Sequence, residues 1–311
     1  MATSTKAAIL EEAEDTRGEE YFYYSPYKDF WRRFSKNSAA KVGLAIVLVF
    51  LLFGVFADVL APYDPYRGTA NQVYRGQGVY QAPSIYHPMG TDEMGRDIFS
   101  RIIYGTRVSL TIGFISQGIA TVIGIVLGSL AGYFGGKVDD IIMRTVDLLL
   151  IIPTFFLLLL IISLYGPSLI NIMVVIGVLG WAGISRMIRA EILSIRQREY
   201  VEAAKALGAP DRNIIFSHIL PNAISPVIVQ AVLGVSGAIL YESALSFIGL
   251  SDANIVTWGQ MLNRAQAHLV SSPPRLWIPV YPGLAIFFLV LAFNMIGDGL
   301  RDAIDPKLKE R

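Results

Sequence analysis

The chain has 311 residues, 53% of them hydrophobic and 16% charged, with a mean hydropathy of +0.50; such a composition does not suit a water-facing surface and makes membrane the first class to test. With 26 Lys and Arg against 25 Asp and Glu the net charge is near +1, so no global field points to nucleic acid, and no nucleic-acid partner is expected. Cysteine is absent, which removes disulfide frameworks, thiol nucleophiles and Cys-based metal sites together.

The first apolar run begins only after about forty residues, which include EEAEDTRGEE and YFYYSPYKDFWRRFSK, so the N-terminus does not read as a secretory signal. Residues 1–40 read as a cytoplasmic tail, with 1–20 disordered. Within it, Pro26 to Ala40 reads as an amphipathic helix, with Phe30, Trp31 and Phe34 toward lipid and Arg32, Arg33 and Lys36 among the headgroups. A permease domain of membrane helices then occupies 41–311.

A charge-free apolar run of about 20 residues implies a helix across the bilayer, because hydrocarbon leaves backbone amides no water to bond. Six such spans are expected. The first runs from Val42 to Leu60, interrupted only by Asp58, and the second from Val108 to Gly136. The apolar stretch Leu148 to Ser185 is too long for one helix, and Tyr165-Gly166-Pro167-Ser168 splits it into two antiparallel spans, with Pro153 predicting a kink in the first of them. The fifth and sixth run from about Ser225 to Leu250 and from Leu276 to Gly297. An even number places both ends on one side. With the N-terminus inside, 19 of the 26 Lys and Arg fall on inner segments and 7 on outer ones, so both termini are expected in the cytoplasm. Gly124, Gly128 and Gly132 recur every four residues and predict close helix packing. The outer loop of about 61–107 is expected to hold a helix within Gly90 to Arg107, capped by Thr91 or Asp92.

The cytoplasmic loop of about 186–222 is too polar to span and too patterned to be slack. Glu199 to Leu207 reads as a short helix stopped by Gly208; Pro210 and Asp211 open a second helix that Pro221 ends. Ile214, Ile215, Ile219 and Leu220 give the second helix a buried side, and small Ala203 and Ala204 leave the first open to a close partner.

Glu202-Ala203-Ala204, Gly208 and Leu220-Pro221 at this separation resemble the EAA loop of ABC-importer permeases, and His218 with Pro221-Asn222 resembles its form in the oligopeptide, dipeptide and nickel group. Met89 to Leu110 (MGTDEMGRDIFSRIIYGTRVSL), Glu242 to Leu250 (ESALSFIGL) and Ile296 to Pro306 (IGDGLRDAIDP) resemble stretches of that group's C-type permease. The resemblance implies an all-α bundle of the type I ABC-importer kind in the bacterial inner membrane. It implies a heterodimer with a second, homologous permease, two cytoplasmic ABC ATPases that bind ATP and Mg, and an extracytoplasmic binding protein that delivers peptides or related small solutes. It also makes Glu199, Glu202, Ala203, Ala204, Gly208, Ala209, His218, Pro221 and Asn222 the residues that couple to the ATPases.

This chain is expected to bind no cofactor and to hydrolyse nothing. Its nearest approach to a phosphate loop, Gly135-Gly136-Lys137-Val138, lacks the upstream spacing and the Ser or Thr after Lys. His87, His218 and His268 are scattered without metal-ligand or triad spacing. Glu242, the one carboxylate well inside a span, is the candidate for a substrate path, with a structural role as its alternative. An ion-coupled secondary transporter or channel is the rival reading, but it calls for midplane charges that five of the six spans lack.

Overall fold

A computed structural model describes residues 26–68, 78–269 and 274–304; the disorder expected of 1–20 lies outside them. In chain order, α1 (Pro26–Lys36) leads into α2 (Ser38–Val55) and the short α3 (Ala57–Leu60). An irregular outer segment then precedes α4 (Ile98–Phe134), α5 (Gly136–Ile151), α6 (Thr154–Tyr165) and α7 (Leu169–Arg196). The coupling loop holds α8 (Glu199–Ala206), α9 (Asp211–Asn213), a π-helical turn (Ile214–Ile219) and α10 (Leu220–Ala223). The chain closes with α11 (Ser225–Phe247), α12 (Trp258–Leu269) and α13 (Trp277–Ile304). Among the described residues the only strand-like pairing is an isolated bridge between Thr91 and Asp97.

By length and composition α2, α4, α7, α11 and α13 can each cross a bilayer, and the pair α5 and α6 brings the number to six when counted as one span. That pair departs from expectation. The third span was expected to start near Leu148 with a kink at Pro153; instead the helix starts at Gly136 and turns through 88°. Ile152 is extended (φ −83°, ψ 125°), as sterics require of a residue before proline, and Pro153 opens a new helix. The earlier start follows from Lys137, Asp139, Asp140, Arg144 and Asp147, which make α5 amphipathic. With 12 residues α6 is about 18 Å long and cannot alone cross about 30 Å of hydrocarbon. The next turn is as expected: Gly166 takes φ 88°, and the Ser168 hydroxyl caps α7 by accepting from Asn171 N at 3.1 Å.

Helix α4 has 37 residues, about 55 Å, so it projects well beyond the hydrocarbon. Its cap is Asp97, which accepts from Ser100 N at 2.7 Å, rather than Thr91 or Asp92. Those two residues are committed to the preceding turn. The Asp92 carboxylate accepts from the N–H groups of Met94 and Arg96 at 2.9 Å and from Arg96 Nε at 2.7 Å, and the Thr91 hydroxyl donates to Gly78 O. His87 Nδ1 meets Asp97 Oδ1 at 2.9 Å with both side chains buried, a structural role for that histidine. This cap packs on α12, where Trp258 Nε1 donates to Ile102 O at 3.1 Å. Residue 105 must be glycine for that approach, since a Cβ there would lie 2.7 Å from the indole. Asp58, expected near the end of the first span, falls in α3 beyond it. The Tyr104 hydroxyl and the Arg107 guanidinium hold its carboxyl below the ordinary value.

Two helix packings frame the bundle. Helix α4 lays its glycine stripe against α7: a Cβ at Gly124 would lie 2.7 Å from Ile184, at Gly128 2.5 Å from Ser185 O, and at Gly132 2.9 Å from Ile192. Gly177 returns the fit by receiving Ile119. The stripe is thus a groove for isoleucines, as small-residue spacing in membranes leads one to expect. Against the last turn of α13, α1 departs from the lipid-facing reading. Phe34 is buried against Ala40, Ala303 and Leu300, and Asn37 both caps α2 and donates to Asp302 at 3.0 Å. A protein surface, the end of α13, absorbs the apolar face that lipid was expected to cover; Trp31 alone of the three aromatics stays exposed.

Candidate functional site

Helix α7 ends at Arg196 and α8 begins at Glu199, so only Gln197 and Arg198 separate span from loop. The polar helix α8 has one fully buried residue, Val201, at 0% exposure. It packs in a cluster with Ile192 and Ile195 of α7, Ile214 and Ile219 of the π-turn, and Ala223 of α10. This apolar seat fixes the orientation of α8. Glu199, Glu202 and Ala203 face outward, and Ala204 is half-buried.

The helix closes as a Schellman turn. Gly208 N donates to Lys205 O at 3.0 Å and Ala209 N to Ala204 O at 3.1 Å, with Gly208 at φ 78°. No neighbour lies within 4 Å of where a Gly208 Cβ would be, so backbone conformation alone demands glycine there. The turn lifts Leu207 to 88% exposure, and Phe216 at 62% and Tyr200 at 41% are exposed in the same loop. The loop thus exposes three large apolar side chains.

Pro221 does not end the second helix as expected. Hydrogen bonding shifts to the wider π pattern over Ile214–Ile219, with Leu220 N bonding Ile215 O, and helix resumes as α10 with Pro221 in its first turn. The wider ladder accommodates a ring that would press on the carbonyl four residues back and a residue with no N–H to give. Only Ile224 then separates α10 from α11. His218 is half-buried within the π-turn. The Asn222 amide donates to His218 O at 2.8 Å and to the Tyr200 hydroxyl at 3.4 Å, tying the two halves of the loop together.

The structure adds residues that sequence reasoning missed. Tyr133, at the end of α4, hydrogen-bonds the Asp211 carboxylate; its carbonyl accepts from Arg196 Nη1 at 2.8 Å, and Lys205 Nζ lies 5.3 Å above its ring. One aromatic residue thus joins α4, α7 and both halves of the loop. Arg189 forms a two-pronged ion pair with Asp139, and Arg186 pairs with Asp147, bracing α7 against α5 on the same side. A tyrosine before Gly135-Gly136 carries no local signal of a partner 78 positions away.

Glu242 lies elsewhere. It is fully buried where α11 meets α12, accepting from Ser246 Oγ at 2.6 Å and Ser243 Oγ at 3.4 Å, with Thr257 as a further partner. Hydroxyls surround its carboxylate, an arrangement that the structural alternative calls for. Among the described residues no group of three or more His, Asp or Glu could hold a metal ion.

Fold and site together define a multi-span helical membrane protein with a braced loop at one end of its bundle. The chain belongs to the family of binding-protein-dependent transport system inner membrane components, whose model matches residues 124–310; the N-terminal TM domain of oligopeptide transport permease C matches residues 25–83. It is 42% identical to a dipeptide transport system permease protein of Alkalihalophilus pseudofirmus, over 94% of this chain and 93% of that one. A glutathione transport system permease protein of Pectobacterium atrosepticum is 38% identical over 92% of each chain. A dipeptide transport system permease protein of Haemophilus influenzae is 39% identical over 92% of this chain and 96% of its own. The chain is therefore an ABC-importer permease of the bacterial inner membrane, a component of a system that works with a binding protein.

Proposed function

We propose that this chain is one of two homologous permease subunits of an ATP-driven importer of di- or oligopeptides or related small solutes. Both termini and the 199–222 loop face the cytoplasm, where two ATPase subunits hold ATP and Mg; an extracytoplasmic binding protein delivers cargo to the other face. The chain itself is a transport subunit with no ATPase site. The names of its relatives, dipeptide and glutathione permeases, support the peptide cargo.

The observation that carries the mechanical part is the loop's construction. Val201, Ile214 and Ile219 seat it on the bundle, short links join it to α7 and α11, and an open face of Glu199, Glu202, Ala203 and Gly208 remains for a partner. Ala209 completes the closing turn, Pro221 opens α10, and Asn222, held by His218 O, reaches across to the Tyr200 hydroxyl of the first half. A push on the open face passes into two spans at once, and alternating access follows as rigid-body motion of the bundle.

Reconstitution tests the reading. The chain is expected to copurify with a second permease and two ATPases, and the complex in proteoliposomes to accumulate dialanine only with ATP and a binding protein. Accumulation driven by a proton or sodium gradient without any ATPase would instead identify a secondary transporter.

A further inference from the structure

Beside the coupling loop, between the ends of α7, α11 and α13, lies a cavity of about 500 Å3, a volume within the range of small-molecule sites, roughly 300–1,000 Å3. Its walls carry opposite charges from different helices: Glu191 of α7, and Arg301 in the last turn of α13. Neither forms an ion pair or side-chain hydrogen bond among the described residues. Asp302, the acid next to Arg301, is engaged instead by Asn37. The same walls hold the carboxamides of Asn222 and Gln230 and the apolar side chains of Val229 and Leu233.

Glu191 is half-buried and Arg301, Asn222 and Gln230 are exposed, so the cavity opens to solvent and selects a solute by complementary charge. A solute with a single charge meets one of the two charged side chains, and a zwitterion meets both. A free ammonium, a free carboxylate and amide groups between them satisfy the whole set. We propose that this cavity binds short zwitterionic peptides, with Glu191 taking the N-terminal ammonium and Arg301 the C-terminal carboxylate. The inference rests on the peptide reading above and adds a place and an end-group chemistry to it. Because Asn222 belongs to both this wall and the coupling loop, the bound solute touches the element that meets the ATPases.

The intact transporter in lipid nanodiscs, without binding protein, is titrated with dialanine, N-acetyl-dialanine and dialanine amide, while uptake of dialanine by the same preparation in proteoliposomes is followed in parallel. Dialanine is expected to bind, and each blocked form to bind about tenfold or more weakly, the size of one lost charge-assisted contact. Glu191→Gln should abolish discrimination against the acetylated form and Arg301→Gln discrimination against the amide, whereas Arg301→Lys keeps the latter. Copurification with the partner subunits checks that each variant assembles. Variants that bind all three probes as the unaltered transporter does would overturn the site, as would cross-links showing the second permease filling the cavity. Dialanine uptake without binding here would overturn it too and leave the peptide reading standing. Absence of dialanine uptake would remove the peptide reading itself.

Discussion

At the scale of single residues the site depends on a few positions whose chemistry admits little exchange. Gly208 sits at φ 78° with open space around it, so the cost of replacement is backbone strain alone, about 1–2 kcal/mol for a residue that resists the left-handed region. Gly208→Asn, which tolerates that region, is expected to keep transport. Gly208→Val is expected to raise the ATP hydrolysed per solute moved at least several-fold while the complex still assembles. Measuring hydrolysis and uptake in the same vesicles checks both variants; equal coupling ratios would detach the turn from energy transfer. The sequence showed this glycine because a helix end announces itself locally. It did not show Tyr133, whose value lies in Asp211, Arg196 and Lys205, groups that only the fold gathers around it. Glu242 shows the converse: its rarity in a span is plain in the sequence, but its partners Ser243, Ser246 and Thr257 are gathered only by the fold.

Among the elements, the interface of α4 with α7 is the frame from which the loop hangs. Gly128→Val would drive a side chain into Ser185 O and Ile188, and overpacking of this kind typically costs about 1–3 kcal/mol. The variant is expected to lower the melting temperature of the purified complex and its yield. Gly118→Ala on the same helix, with nothing within 4 Å of the new Cβ, should leave both unchanged. If the two variants melt alike, the stripe is not the contact described. The stripe was legible because four-residue spacing of glycine has one common use in membranes. The right-angle break at Pro153 was read only as a kink, since proline marks an interruption but not its angle; the turn depends on how α5 lies, braced by Arg186 and Arg189. The same limit explains α1, whose amphipathic pattern was plain but whose apolar face is covered by α13 rather than lipid. Periodicity says that a face is buried and not by what.

For the molecule as a whole, hydropathy marked the five long spans, because the bilayer imposes length and apolarity on any helix that crosses it, and the distribution of Lys and Arg sets the orientation expected of them. Assembly is less legible. The proposed coupling assigns the open side of α8, the exposed Leu207 and the short links into α7 and α11 to contact with a separate ATPase. The absence of cysteine makes this directly measurable, since one introduced thiol is the only one in the chain. With Ala203→Cys in the assembled complex and a short bifunctional thiol reagent, a cross-link is expected to a cysteine placed on the ATPase surface, with a yield that changes between nucleotide-free and ATP-bound states. If Ala203→Cys is labelled only by reagents in water or lipid throughout turnover, and never joins the ATPase, the coupling account is contradicted.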